Sequence, residues 1–406
     1  MSALLTAWSD AEGAARTRDL LIRSFGPGDA EVSAAPGRVN LIGEHTDYNG
    51  GLCLPLALPH RTFVALRPRS DRTVRLVSGQ EEGTREVDLD AVGPAGSRGE
   101  VTGWPAYVVG VAWALEAEGL VPEGRATGFD VAVDSCVPYG AGLSSSAALE
   151  CAVAVALDDL WGLGLAADDA GRARLAAACV RAENEVAGAP TGGMDQSASL
   201  RARDGHALLL DCRDGATRQV PFDLAAAGLE LLVMDTRAPH ALVDGQYAAR
   251  RESCERAARE LAVTTLREVT DLDGSLARLE DPVVRRRVRH VVTEIERVER
   301  FVEALTAGDG RTGTLGALMA ASHASLREDY EVSSPELDLA VEAATAAGAH
   351  GARMTGGGFG GSAIALVPAG SAERVAAEVE QAFSDAGFAA PAFLLAPASA
   401  PAARVG

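Results

Sequence analysis

The stretch from Val137 to Ala148, Val-Pro-Tyr-Gly-Ala-Gly-Leu-Ser-Ser-Ser-Ala-Ala, constrains this chain more than any other. Before it, Phe129 to Val133 carries β-branched residues at alternate positions and reads as a strand. After it, Ala148, Cys151, Ala152 and Val155 recur at the spacing of one helical face. The other faces of that segment are also mostly apolar, which predicts a buried helix. Between strand and helix lie Gly140 and Gly142 and three hydroxyls, Ser144, Ser145 and Ser146. Glycines let backbone N–H groups crowd a ligand, and a helix start adds unpaired N–H groups with partial positive charge. That combination fits an anion, above all a phosphate. The same residues also suit a plain glycine turn followed by a serine helix cap. No Gly-x-x-x-x-Gly-Lys-Ser/Thr run is present, so this is not a Walker A loop. The loop has no lysine, so another group must offset phosphate charge.

With 406 residues, the chain is long enough for two or three domains with sizeable cores. Aromatic residues make up only 4%, so Leu, Val and Ala must fill those cores. The net charge of −20 argues against broad binding to nucleic acid or anionic membranes, which needs a basic surface. A local basic pocket for a phosphate ligand remains compatible with it. The six cysteines contain no C-x-x-C pair, and Cys136, Cys151 and Cys179 sit in apolar surroundings that predict buried thiols. A reducing compartment is expected, with neither a disulfide framework nor a zinc site. No basic-then-apolar leader opens the chain, and no apolar run approaches the ~18 residues of a spanning helix. The expected location is cytoplasmic.

Residues 1–30 read as a helix carrying Ala14, Leu20 and Leu21, ending near Gly26-Pro27-Gly28. Val39, Leu41 and Ile42 suggest a strand that breaks at Gly43. Leu52 to Arg67, Thr73 to Val77, His206 to Leu210, Leu229 to Met234 and Ser362 to Val367 read as further strands. Trp104 opens a helix with Val108, Val111, Ala112 and Leu115 on one stripe, and Ala173 to Glu185 reads as another. Val288, Val291, Ile295, Val298 and Val302 mark one face of a long helix over 285–305, and Val375, Val379 and Phe383 mark the last helix. The Arg285–Arg289 run is expected to be a solvated face, and Ala396 to Gly406 a loose tail. A domain boundary is expected near residue 212, dividing 1–212 from 213–406.

Arg38, Glu44, His45 and Asp47 crowd one turn-rich segment. Sugar recognition wants this mixture, because carboxylates accept from hydroxyls while imidazole and guanidinium donate. An Asx turn at Asp47, a surface salt bridge or a metal site would use the same residues. Asp195 follows Gly192-Gly193-Met194 and suits a helix cap as well as a reacting carboxylate. Glu183 on its helix, Tyr247 and Trp104 read locally as a solvated acid, a half-buried aromatic and a core residue.

Three polar or glycine-rich loops, residues 35–51, 137–148 and 355–361, therefore stand far apart in one chain. Together they resemble the three motifs of the GHMP small-molecule kinase superfamily. Gly37-Arg-Val-Asn-Leu-Ile-Gly-Glu-His-Thr-Asp-Tyr-Asn-Gly50 closely resembles the signature of its galactokinase family. Gly142-Leu-Ser-Ser-Ser-Ala-Ala148 resembles the superfamily's phosphate loop, and Gly356-Gly-Gly-Phe-Gly-Gly361 its third motif. Gly192-Gly-Met-Asp-Gln196 and the segment around Tyr247 are similar to galactokinases too, and the resemblance runs over about residues 20–395. It departs from the pattern at Ala241, within His240-Ala241-Leu242, and at the Gly192-Gly193 pair.

The resemblance implies an α+β fold in two domains: an N-terminal mixed α/β domain and a ferredoxin-like C-terminal domain, with the active site between them. It implies transfer of a phosphoryl group from ATP to D-galactose, with Mg²⁺. Asp195 would lie against the anomeric hydroxyl, with Arg38 beside it and the transferred group. Glu44, His45, Asp47 and Tyr247 would hold the other hydroxyls, helped by the Gly192 backbone. Ser146 and Glu183 would serve Mg²⁺. Gly140, Ala141, Gly142, Leu143, Ser144 and Ser145 would wrap the nucleotide phosphates, and Trp104 would line the adenine pocket. Gly357 and Gly358 would let the third loop approach closely. A non-catalytic galactose and ATP sensor, or a kinase for a related sugar such as N-acetylgalactosamine, would use the same scaffold. The complete Ser144-Ser-Ser-Ala-Ala148 run favours the enzyme.

Overall fold

A computed structural model describes residues 4–238, 243–307 and 312–406. The first helix, α1 (Asp10–Phe25), starts where the Ser9 hydroxyl accepts the Glu12 N–H and stops at Gly26, with φ +82°. It is therefore shorter than a helix over residues 1–30. Strands β1 (Glu31–Asn40), β2 (Leu52–Cys53) and β3 (Pro55–Pro68) follow. β1 ends at Asn40, not at Ile42; beyond it Leu41 and Ile42 share Leu54 with the Asn40 side chain, which accepts the Leu54 N–H at 3.1 Å. Next come β4 (Thr73–Ser78), β5 (Thr84–Asp88), α2 (Pro105–Ala117), β6 (Phe129–Ser135), α3 (Ser145–Trp161), α4 (Asp169–Arg181) and α5 (Met194–Arg201). β7 (His206–Asp211) and β8 (Ala216–Pro221) form a hairpin. β9 (Leu229–Asp235), α6 (Val243–Leu261), α7 (Leu272–Arg278), α8 (Pro282–Thr306), α9 (Thr312–Glu328) and α10 (Pro335–Ala346) come next. The chain closes with β10 (Gly351–Thr355), β11 (Ser362–Pro368), α11 (Ala372–Ala386), β12 (Ala392–Leu395) and β13 (Ala403–Arg404).

One sheet has the order β13-β1-β3-β6-β4-β5, antiparallel except for the β4–β6 pair. Alternation along its strands feeds two cores. Val64 and Leu66 face a cluster with α2, α3 and α4, while Ala65 faces α1 beside Leu21 and Val32. A second sheet, antiparallel throughout, has the order β10-β11-β9-β12. With helices joining β9 to β10 and α11 joining β11 to β12, this is the ferredoxin-like arrangement of an α+β fold. A small third sheet, β2-β7-β8, packs β7 against β3 and β8 against α8. The largest core joins the two halves. It contains Val39, Leu41 and Ile42, the loop residues Val137, Ala141 and Leu143, and Leu232, Ile364 and Val367 of the second sheet. The glycine-serine loop is thereby held against the ferredoxin-like half.

Two expectations fail for physical reasons. Residues 396–406 are not a loose tail. Ala403 and Arg404 pair with Ala34 and Ser33 on the open edge of β1, Ala402 donates to the Ser199 carbonyl, and Ala396 and Ala402 are buried. Small side chains let this segment lie flat and cover donors that the edge would leave exposed. The Arg285–Arg289 run is not uniformly solvated either. Arg287 is buried over the Tyr330 ring and paired with Glu331, and Arg285 donates to the Leu279 carbonyl. Among the cysteines singled out, Cys151 and Cys179 are buried but Cys136 is only half-buried. His240-Ala241-Leu242 lies outside the described residues.

Candidate active site

The glycine-serine loop opens after β6 and enters α3 through Ser144, whose φ of +59° is a left-handed backbone. That kink turns its hydroxyl away from the helix cap and onto the Asp195 carboxylate. Leu143 offers its carbonyl to the Arg38 N–H at 3.1 Å. A methyl group at Gly37 would overlap that carbonyl, so β1 and the loop can touch only with glycine there. From the other half, Ser362 donates its hydroxyl to the Ala141 carbonyl at 2.7 Å. All three distant loops therefore meet at residues 141–144.

Arg38 supplies the missing basic group. It is buried, and its Nε and Nη2 grip the two Asp195 carboxylate oxygens at 2.8 and 3.0 Å. Its Nη1 donates to the Gly142 carbonyl at 2.7 Å. Asp195 sits in the first turn of α5, after Gly193 with φ +90°, and its side chain stays 22% exposed toward a cavity. A forked guanidinium on a carboxylate fixes distance and orientation together.

That cavity, of about 160 Å³, is lined by Arg38, Glu44, His45, Asp47, Glu183, Asp195 and Tyr247, with Gly356 and Gly357 from the third loop. A larger one of about 670 Å³ touches the loop only through Val137–Gly140 and holds none of these side chains. The reacting groups converge in the smaller one. Glu44 is buried. It accepts the Gly356 N–H at 2.6 Å, receives the Asn40 amide, and lies 3.5 Å from the buried guanidinium of Arg353. Burial raises its pKa above the ordinary carboxylate value, against the pull of Arg353. The His45 ring is pushed down to about 3, chiefly by burial, and is neutral at physiological pH. Its Nε2 reaches the Gly357 carbonyl at 3.2 Å and its Nδ1 the Tyr48 hydroxyl at 2.9 Å. A neutral ring donates from one nitrogen only, so Nε2–H is the donor to Gly357 in this network. Asp47 is pushed up to about 6, mainly by burial, with the charges of Asp195 and Glu44 adding to it. A methyl at Gly192 would overlap the Asp47 carboxylate, which explains why glycine stands there. Tyr247 of α6 packs its ring on His45 and Tyr48.

Glu183 lies where α4 widens into a single π turn, Ala182–Val186, a local feature common at functional sites. Its carboxyl is pushed up to about 7 by burial, while a hydrogen bond from Ser146 opposes the shift and the Asp195 charge adds to it. Several expected residues do not line this cavity: Gly140 lines the larger one, Gly142, Ser144 and Ser146 reach the cluster through hydrogen bonds to Arg38, Asp195 and Glu183, and Trp104 lies apart. It is half-buried at the start of α2, packed on the core of the first sheet, and does not line the cavity. Gly140 is exposed and Ser145 half-buried.

Sequence reading missed Asn40, Arg353, Tyr48 and Tyr330, which brace Glu44 and His45. Tyr48 and Tyr330 join hydroxyls at 2.8 Å. A signal existed for Arg353: a lone charge in the apolar run Gly351–Thr355 must find a partner when buried.

Comparison with known proteins matches this geometry. Residues 22–68 match the galactokinase galactose-binding signature, residues 106–203 the GHMP kinases N terminal domain and residues 301–385 the GHMP kinases C terminal domain. A galactokinase of Streptomyces coelicolor is 51% identical over 94% of this chain and 96% of its own length. One from Mycobacterium tuberculosis is 47% identical over 88% of this chain and 94% of its own. The crystal structure of Lactococcus lactis galactokinase complexed with galactose superposes with a TM-score of 0.88 at 33% identity, covering 96% of this chain and 99% of that one. Methanococcus jannaschii mevalonate kinase, 16% identical with a TM-score of 0.60, shares the fold.

Proposed function

The chain belongs to the galactokinase family of the GHMP kinases, and from that premise we propose that it transfers the γ-phosphoryl group of ATP to the anomeric hydroxyl of D-galactose, giving ADP and α-D-galactose 1-phosphate. The observation that carries this reading is the Arg38–Asp195 fork, set between a hydroxyl-binding cavity and the phosphate loop. Asp195 accepts the hydroxyl proton or orients the oxygen, and Arg38 neutralises charge on the transferred group. Phosphoryl transfer depends mainly on alignment and charge stabilisation, which this chain supplies through Arg38, the loop amides and the α3 N-terminus. Glu44, Asp47 and Tyr247 hold the remaining hydroxyls, helped by the Gly192 backbone, whose lack of a side chain leaves room for Asp47. His45, both of whose nitrogens have protein partners, orients the cavity wall. Gly140 to Ser145 wrap the phosphates, and Trp104 flanks the adenine. Six free thiols support a cytoplasmic location.

Mg²⁺ fits the same site. Ser146, in the first turn of α3, and Glu183, in the π turn after α4, offer two hard oxygen donors, and a cation would offset the desolvation that raises Glu183. Among the described residues no cluster of three or more metal-ligating side chains exists, so the nucleotide must complete the shell. When bound, the metal supplies charge neutralisation for the phosphate oxygens. Glu183→Ala should raise the Mg²⁺ concentration for half-maximal rate by about tenfold or more, since even outer-sphere partners move metal affinity on that scale. An unchanged Mg²⁺ titration removes Glu183 from the metal site.

A coupled ADP-release assay over a panel of sugars tests the substrate. When one of two hydroxyls on a carboxylate is inverted, that hydroxyl and the oxygen that accepted it are both left unpaired, at about 1–3 kcal/mol each. Galactose should therefore exceed its C4 epimer glucose by at least about 10²-fold in kcat/KM. Asp47→Ala should shrink that ratio by impairing galactose far more than glucose. Because Asp47 is raised to about 6, its ionised form is lost as pH falls from 7 through 6, and galactose binding should weaken over that interval. Equal use of glucose and galactose by the native chain ends the galactose assignment.

A further inference from the structure

Beside the cavity lies a second carboxyl that the reaction above does not use. Glu150 points inward from α3, one turn beyond Ser146, and is completely buried. Gln196, next to Asp195 on α5, is also completely buried. The Gln196 amide nitrogen donates to Glu150 Oε2 at 3.1 Å and to Glu183 Oε2 at 2.5 Å. One amide group thus ties α3, the π turn after α4 and α5 together. The remaining oxygens, Glu150 Oε1 and Gln196 Oε1, are buried and find no protein partner among the described residues. Unsatisfied buried polar atoms are expensive, and an apolar pair of the same shape would serve the fold at least as well. Packing therefore does not account for a carboxyl and an amide here. Gln196 instead links Glu150 to Glu183, the carboxyl at the edge of the cavity.

We propose that Glu150 is a positioning residue: acting through Gln196, it holds the Glu183 carboxylate against Ser146 in the orientation that receives the nucleotide-bound cation. The two amide hydrogens of Gln196 are both spent on carboxyl oxygens, so the Gln196 side chain cannot rotate without losing one of them. Glu183 is thereby held by Gln196 as well as by Ser146. The inference rests on the assignment of Ser146 and Glu183 to Mg²⁺. It adds a buried pair whose effect appears in metal binding and not in sugar binding.

The test uses the full chain with a non-hydrolysable ATP analogue and Mn²⁺ as the probe, its binding followed by electron paramagnetic resonance, alongside thermal melting and steady-state kinetics. Glu150→Leu removes the acceptor and keeps the volume. Its melting temperature should change little, because loss of a buried carboxyl offsets the Gln196 N–H left without an acceptor, while Mn²⁺ affinity falls about tenfold and the Mg²⁺ midpoint for activity rises by the same factor. KM for galactose should stay within about twofold, because no sugar contact is lost. Glu150→Gln, which keeps an acceptor oxygen for Gln196, should restore most of the metal affinity. Gln196→Met should reproduce the Glu150→Leu effect from the other end, and it carries the test if the leucine variant does not fold. Glu183→Ala is the reference. If it weakens Mn²⁺ binding while Glu150→Leu and Gln196→Met do not, the positioning role is overturned and the metal site stands. If Glu183→Ala leaves Mn²⁺ binding unchanged, both are overturned. A lower melting temperature with unchanged metal affinity makes Glu150 a structural residue only.

Discussion

Asp195→Asn should lower kcat by about 10²-fold or more while leaving the fold and galactose binding nearly intact, the usual scale for a positioned proton acceptor. Asparagine keeps one oxygen toward Arg38 and the shape of the side chain, so the first turn of α5 has no reason to move. It loses the charge that draws the sugar hydroxyl's proton. It also places an amide donor where the Ser144 hydroxyl and an Arg38 N–H now point, so two donors face each other. Calorimetric titration with galactose separates the effects: an unchanged Kd with a depressed kcat assigns Asp195 to the transfer step. A near-normal kcat would remove Asp195 from the chemistry and leave the fork as scaffolding.

Arg38→Lys should cost as much, about 10²–10³-fold in kcat/KM, the range seen when one charge-stabilising donor is removed from an active site. Arg38 does three things from one planar group: two bonds to Asp195 and one to the Gly142 carbonyl. A lysine ammonium is a point charge on a flexible stem and cannot span both carboxylate oxygens and the loop. The conserved charge would keep Asp195 paired, so the protein should still fold, with stability lowered by about 1–3 kcal/mol for the Gly142 carbonyl left without its donor. The loss should appear in kcat for galactose more than in its KM. A raised KM for galactose with kcat unchanged would instead make Arg38 a binding residue alone.

What the sequence determined here is local. Glycine where the backbone turns left-handed, the hydroxyls at the start of α3, and apolar periodicity in α3 and α8 are all requirements set within a few residues of the chain, and they can be read from it. The composition of the 38–47 turn announced a polar ligand, and resemblance supplied which one. Some decisions are not local. Arg38 and Asp195 are separated by 157 residues, and nothing near either names the other. Glu150 and Gln196 look like ordinary residues on apolar helices until burial removes their water and leaves Gln196 bridging Glu150 to Glu183. His45 became a neutral bracing ring only when Tyr48, Tyr330 and Gly357 closed around it, since desolvation is a property of the packed interior. The Ala/Pro-rich end reads as a tail because its partner is a strand edge hundreds of residues earlier, whose unpaired donors exist only once the sheet has formed.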